Sequence, residues 1–424
     1  MGGSRGARRL AARIVPGLAP LRRSRQYRLL CAGQMTSFAG NMISFVAMPY
    51  QAYQLTRSSL VVGLLSVAEL APLVVTALLG GALADRVDRR RLIRASQCFL
   101  CGIGAALALN AAAWRQLWLL FLLAVLGAGL LGVQRPSLEA LVPVLLRRDQ
   151  LPAAAALTGL LGNAVSLAGP LLGGFLIRLG GLPAAYAADS AASVIALLAF
   201  ARLSAVPPLP EAARPGLRGI ADGVRYARSR PELLGSYLID MSAMLFGAPQ
   251  ALFPAIAARL GGPTVLGLLY AAPAAGGLIV SMTSGWASRV HRHGRAIVAA
   301  VCGWGAGITA FGFAPGLWWA VAALAAAGAA DMVSGIFRMT MWNQTIPAGL
   351  RGRLAGLEMI SYTTGEPAGN LEAGLVATAT GSVRIALVSG GVLSVLGAAA
   401  VVAALPGLWG FDARDHPPPG PGGG

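Results

Sequence analysis

Acidic side chains inside long apolar runs are the residues of this chain that could do chemistry. Glu69, Asp189, Asp240, Asp331, Glu358, Glu366 and Glu372 all lie in such runs, and Glu139 sits near the end of another. A charge in hydrocarbon is costly and is retained where it faces a cavity or a partner. Such a carboxyl can exchange protons, neutral while dry and ionised once water reaches it. Glu69, Asp240, Glu358 and Glu366 stand nearest the middle of their runs, so these four are the candidate proton-coupling groups. Glu358 and Glu366 fall about two turns apart on one helix face. For any single acid, a packing or capping partner is an equally good reading. A purely structural role for the whole set is a poor one.

The elements that must position these acids are membrane helices. Apolar runs cover about 29–54, 59–82, 92–113, 116–138, 152–178, 182–201, 233–257, 264–287, 295–314, 316–338, 353–379 and 383–405. Each is close to the ~20 residues that cross the hydrocarbon as a helix. The runs are continuous and do not alternate, which excludes a barrel of short strands. The chain is 56% hydrophobic and 12% charged, against roughly 25% charged in soluble domains. The expected fold class is an all-α membrane protein with twelve transmembrane helices in two pseudo-symmetric six-helix bundles.

Arginine placement orients the helices. Of the 34 basic residues, all of them arginine, all but Arg57, Arg115, Arg178, Arg259 and Arg384 fall in the tails and in alternate gaps between runs. Arginine-rich loops stay in the cytoplasm, so both termini are expected there and the protein is expected to be multi-pass in the inner (plasma) membrane. The net charge of +18 is spread as short clusters between runs, which suits anionic lipid and not nucleic acid.

The expected organisation is an Arg-rich cytoplasmic tail over 1–28, a first bundle over 29–201, a cytoplasmic linker over 202–232, a second bundle over 233–405 and a disordered tail over 406–424. The first tail lacks a clean apolar core with a cleavage site, so no signal peptide is read. In the linker, Leu217, Ile220, Ala221 and Val224 recur at helical spacing, as in an amphipathic surface helix. Pro417, Pro418, Pro419 and the final glycines suit a segment that buries nothing.

The two halves repeat. Gly81-Ala-Leu-Ala-Asp85-Arg86-Val-Asp88-Arg89-Arg90 follows the second run, and Ser284-Gly-Trp-Ala-Ser288-Arg289-Val-His291-Arg292-His293 follows the eighth. Pro143 has a counterpart in Pro347, and Pro170 in Pro367, in the same order and at nearly the same spacing. Internal repeats of this kind mark secondary transporters, whose sites lie near the midplane.

Gly81, Leu83, Asp85, Arg86, Arg89 and Arg90 resemble the loop signature of the major facilitator superfamily. One position departs from it, since Asp88 stands where the turn glycine is usual, and Asp tolerates that backbone better than most residues. The resemblance implies that Gly81, Asp85, Arg86, Arg89 and Arg90 form a cytoplasmic latch that breaks and remakes as the halves rock. A plain topology signal is the bland alternative, and Asp85 speaks against it. Gly169-Pro170-x-x-Gly173-Gly174 in the fifth run resembles the helix element of antiporters in that superfamily, against a background of ordinary small-residue packing. With Arg135-Pro136 and the segment from Pro143 to Pro152, the first half looks most similar to the branch containing the enterobactin exporter and drug–proton antiporters.

Other constellations are weak. Cys98-x-x-Cys101, Cys31 and Cys302 read as small buried residues, since zinc would need further ligands nearby. His291 and His293 flank Arg292 in what reads as a solvated loop, with a pH sensor as the sharper alternative. Arg135 and Arg338, at cytoplasmic helix ends, read as anchor or latch residues and not as substrate ligands. No phosphate-binding loop and no nucleophile–His–acid set is found, so neither ATP-driven transport nor an enzyme is expected, and no cofactor or metal is required. The expected function is secondary active export of a small, partly apolar compound by proton antiport, the partners being substrate, protons and anionic lipid around a monomer. A proton-coupled importer on the same fold stays open. A non-transporting receptor or scaffold also stays open, although it would not need several buried acids.

Overall fold

The computed structural model describes residues 19–86, 88–204, 225–226, 228–346 and 351–415, with backbone alone at 19, 78–86 and 351–362. No strand occurs among the described residues. The long helices are α1 (Arg25–Thr56), α2 (Ser59–Arg86), α3 (Arg89–Leu109) and α4 (Leu117–Leu145). A helical stretch from Leu151 to Ala201 follows and breaks at Gly181 (φ 71°), giving α5 (151–180) and α6 (182–201). Next come α7 (Pro231–Gly247), α8 (Pro263–Thr283), α9 (His293–Gly312), α10 (Leu317–Thr345), α11 (Arg351–Thr380) and α12 (Val383–Ala404).

Among the described residues, ten helical stretches are long and apolar enough to cross a membrane, with α5 and α6 together forming one of them and α11, the most acidic, not among them. At ~1.5 Å per residue, the 32 residues of α1 reach about 48 Å. That exceeds a hydrocarbon core of roughly 30 Å, so its ends extend into the headgroups.

The described chain divides into two compact units, Met1–Ala47 with Ala71–Ala212, and Met48–Leu70 with Ala213–Gly424. In the first, α3 packs on α4 and on the α6 part of the 151–201 stretch. In the second, α10 packs on α8 and α9, α12 on α9 and α7, and α11 on α7. Small residues permit these approaches. A Cβ at Gly276 would strike the Ala325 carbonyl, and one at Gly328 the Pro273 carbonyl, so α8 and α10 touch backbone to backbone.

Most links after odd-numbered helices are short, the stretch 248–262 after α7 being the exception, and positive-φ residues stand in several of them: Arg57, Arg115, Gly181, Gly261, Gly262 and Gly381. Arg57 and Arg115 are unusual there, because a Cβ disfavours that backbone. Local bonds hold them. The Arg57 amide donates to Tyr53 O at 2.7 Å. The Arg115 amide donates to Asn110 O at 2.6 Å, and the Asn110 side chain bonds both the amide and the carbonyl of Gln116.

The end of the chain departs from the expected disorder over 406–424. Pro406–Gly410 is a short helix and Ala413–Asp415 a single 3₁₀ turn, while 416–424 lie outside the described residues. Leu408 and Phe411 are buried. The Phe411 carbonyl accepts from the Gly294 amide at 3.4 Å, and the Ala413 amide donates to His291 O at 2.8 Å. Two apolar side chains and backbone hydrogen bonds are enough to order a segment whose composition reads as a tail. The expected amphipathic helix of the linker lies outside the described residues, as do the first eighteen residues.

Candidate transport site

In the second unit α7 ends at Gly247, and the chain resumes as a 3₁₀ turn, Gln250–Leu252, and a short helix, Phe253–Leu260. A break frees backbone groups that need partners. Asn370 of α11 supplies one, its Oδ1 accepting from the Ala251 amide at 3.0 Å, while its Nδ2 donates to Gln250 Oε1 at 3.4 Å. The Tyr270 hydroxyl of α8 donates to Gln250 O at 3.4 Å. Glu366 exchanges a hydrogen bond with the Gln250 side chain. Tyr270 is within electrostatic reach of Glu366 and Glu69. Of the four candidate acids, Glu366 of α11 thus meets the broken helix directly, and Glu69 of α2 lies within electrostatic reach of the Tyr270 that bonds it.

A second constellation lies beside it. Asp240 of α7 and Arg338 of α10 form a buried ion pair, at 4% and 9% exposure. A buried pair of this kind is strongly destabilised when one partner is removed. Asp331 and Ser334 share the face of α10 that carries Arg338, at i−7 and i−4. Asp331 feels Arg338 and Asp240, and Glu366 in turn feels Asp331. Glu366, Asp331 and the Asp240–Arg338 pair are therefore linked electrostatically step by step, and Glu69 joins them through Tyr270. Arg338, expected as an anchor or latch at a cytoplasmic helix end, is buried against Asp240. The missed signal was that an acid and a base, both inside apolar helices, satisfy each other.

The remaining expected residues fall elsewhere. The Glu358 side chain lies outside the described residues. Asp189 of α6 accepts a short hydrogen bond from the Ser44 hydroxyl of α1 in the first unit. Glu139 is exposed and paired with Arg135 one turn away at 3.1 Å. Glu372 is half-buried.

Of the expected latch, the Gly81, Asp85 and Arg86 side chains lie outside the described residues. Asp88 caps α3, Oδ1 accepting from the Arg90 amide at 2.9 Å. Arg89 is buried. Arg90 Nη2 donates to Ala201 O at 3.3 Å, and Arg94 donates to Phe200 O at 3.1 Å and to Ala201 O. Cations at the last carbonyls of α6 match its dipole.

Gly169, Pro170, Gly173 and Gly174 are all buried. A Cβ at Gly169 would strike Met42, and one at Gly173 would crowd the Ile43 backbone, so this element seats α5 on α1. Gly159 and Gly162 face open space. Of the four free cysteines only Cys31 is buried, and Cys98 is exposed. The apolar composition of the run hid which face of α3 meets its neighbours. His293 is buried too, not solvated, with its ring 5.2 Å from Phe337 and 6.2 Å from Phe411.

The family model described as transmembrane secretion effector matches residues 15–418. The chain belongs to this family of major facilitator superfamily transporters. It is therefore a multi-pass membrane transporter of the enterobactin-exporter branch and not an enzyme. Among its relatives, the enterobactin exporter EntS of Citrobacter koseri is 30% identical over 355 residues, covering 83% of this chain and 85% of that protein. EntS of Escherichia coli is 31% identical over 327 residues, covering 76% and 78%. The fold is shared with a nucleoside transporter, NupG, in a mutant form (TM-score 0.72, 14% identity, 88% of this chain and 98% of that one). A bacterial homologue of the iron transporter ferroportin in an inward-facing state is also similar (TM-score 0.67, 16% identity, 89% and 98%).

Proposed function

We propose that this facilitator exports a small, partly apolar compound in exchange for protons, by alternating access through twelve spans with both termini in the cytoplasm of an inner (plasma) membrane. The observation that carries the proton reading is the break in α7, where Gln250, Asn370 and Tyr270 gather beside Glu366, with Glu69 within electrostatic reach of Tyr270. Unwound helix segments in transporters place backbone and side-chain groups where ions and substrates bind. Relatives named enterobactin exporters support the outward direction. A siderophore, a drug or the cell's own secondary metabolite fits the substrate class.

In this proposal Glu366 and Glu69 are the leading proton carriers among the four candidates. Asp240 acts through Arg338, and Glu358 remains a fourth candidate. Asp85 with Arg86, Arg89 and Arg90 is the cytoplasmic latch, and Gly169 to Gly174 is the antiporter-type hinge. The protein works as a monomer in contact with anionic lipid. Inverted vesicles with a pH-sensitive dye test the reading. Substrate addition should discharge an interior-acid gradient in the unaltered protein. At least one of Glu366→Gln, Glu69→Gln, Asp240→Asn and Glu358→Gln should abolish that discharge while leaving gradient-free exchange. Full proton-coupled transport in all four variants overturns the assignment of these acids. Asp85→Asn should insert normally and cycle slowly, and a normal rate would reduce that loop to a topology signal.

A further inference from the structure

Two of the chain's three histidines lie together at one end of the second unit, and the transport reading gives them nothing to do. Between the 284–292 segment, one face of α10 and the terminal segment is a cavity of about 370 Å³. Its polar lining includes His291, His293, Thr340, Gln344 and Arg414, and Phe337 is among its apolar lining. This volume falls in the range of small-molecule sites, roughly 300–1,000 Å³.

The chemistry of the lining is one-sided. Two imidazoles and a guanidinium face the cavity, and no carboxylate lines it among the described residues. The neighbouring stretch 284–295 adds Arg289, Arg292 and Arg295 and holds no acid. Among the described residues, the carboxylates beside Arg414 are Asp412 and Asp415. Asp412 is already held by Arg414, whose Nε donates to Oδ1 at 3.0 Å and whose Nη2 donates to Oδ2 at 2.7 Å. A guanidinium has five donor hydrogens, so the Nη1 group of Arg414 keeps two beyond that pair. The Gln344 Oε1 atom is buried without a partner. Amide orientation is interchangeable, and turning it over would put an NH₂ donor in the same place. The exposed faces of His291 and Arg414 leave a way in.

We propose that this cavity is a binding site for a phosphate-bearing ligand, held by His291, Arg414 and Gln344 beneath the terminal segment. Planar and cationic donors suit a phosphate oxygen set. Two sources share that chemistry: the headgroup of an anionic phospholipid and a free phosphorylated metabolite. The site rests on the cavity alone and not on proton-coupled export.

The test uses the purified full-length protein in a neutral detergent and calorimetric titration with three probes: dihexanoyl phosphatidylglycerol, glycerol 3-phosphate and dihexanoyl phosphatidylcholine. Binding of phosphatidylglycerol alone identifies a lipid headgroup site, and binding of both anionic probes identifies a phosphate site open to metabolites. In either case His291→Ala with Arg414→Ala should raise Kd at least about tenfold. These are exposed side chains, so the variant is expected to fold, and Gln344→Leu gives a second, independent loss. The proposal is overturned if neither anionic probe binds, if phosphatidylcholine binds equally, or if Kd is unchanged in both variants. Because the readout is binding and not transport, either reading can fail without the other.

Discussion

The two repeated loops, 81–90 in the first half and 284–293 in the second, join the same elements and solve the same problem differently. In each half the end of the last helix meets the first turn of the third. In the first, Arg90 and Arg94 of α3 donate to the closing carbonyls of α6, at Phe200 and Ala201. In the second, the chain beyond α12 turns back and seats Leu408 and Phe411 beside the start of α9, with backbone bonds at Gly294 and His291. Cations clasp one junction, and apolar burial with backbone pairing clasps the other. Where Asp85 and Asp88 stand in the first loop, the second has Ser288 and His291. Loss of the carboxylates accompanies a covered, cation-lined loop. A duplicated unit therefore keeps a junction while its chemistry diverges.

The sharpest way to break this comparison is Leu408→Ala. The side chain is fully buried, and truncation should cost about 2–5 kcal/mol. Thermal unfolding should fall, and hydrogen exchange over 291–295 should rise. An unchanged melting profile would mean that the second clasp is not apolar. Gly294→Ala should come next. A Cβ there strikes the Leu408 carbonyl, and the overpacking should cost about 1–3 kcal/mol, read as increased exchange over 405–411.

Arg94→Ala in the first unit should cost roughly 1 kcal/mol for charge-assisted bonds that are partly solvated. Its effect should shrink as ionic strength rises, whereas that of Leu408→Ala should not. Equal salt dependence in the two variants would erase the distinction. Asp88→Ala removes the cap of α3 and should cost about 0.5–1 kcal/mol, visible as fraying at 89–92.

Acidification should have the smallest effect. Hydrogen bonds from Arg414 hold the Asp412 carboxyl below its ordinary range. A depressed carboxylate contributes above its unfolded-state value and loses that contribution as pH falls through the lower folded one. Exchange protection over 411–415 should therefore hold from about pH 7 to about pH 5. Loss of protection inside that window would show that Asp412 does not hold the terminal segment.

Helices were the most legible part of this sequence. The apolar run 59–82 became α2 over Ser59–Arg86, 264–287 became α8 over Pro263–Thr283, and 383–405 became α12 over Val383–Ala404. Hydropathy is local, and membrane helices satisfy their backbones internally, so composition alone places them. The family was legible as well, because its loop signature is local. What escaped depends on distant residues. Pro249 hints at a break in α7, but the Asn370 bond to Ala251 spans 119 positions. Asp240 and Arg338 were each visible as charges in apolar runs, yet nothing in either run points to the other. Pro406 reads as a helix stop followed by a tail. Only the notch at Gly235 and Gly294 gives Leu408 a seat, and a sequence does not say which side chain fills a notch.

The tight left-handed turns after odd-numbered helices have a consequence for detection. The links at Arg57, Gly181 and Gly381 leave only a residue or two between helices, and a π-helical turn, Asn110–Trp114, continues α3 so that only Arg115 and Gln116 remain before α4. Under the proposed orientation this side faces away from the cytoplasm. An antibody, a phage or a protease approaching from there would meet almost no loop to hold. An inserted epitope is best placed in the slightly longer link between Phe313 and Gly316, where no positive-φ residue has to be preserved.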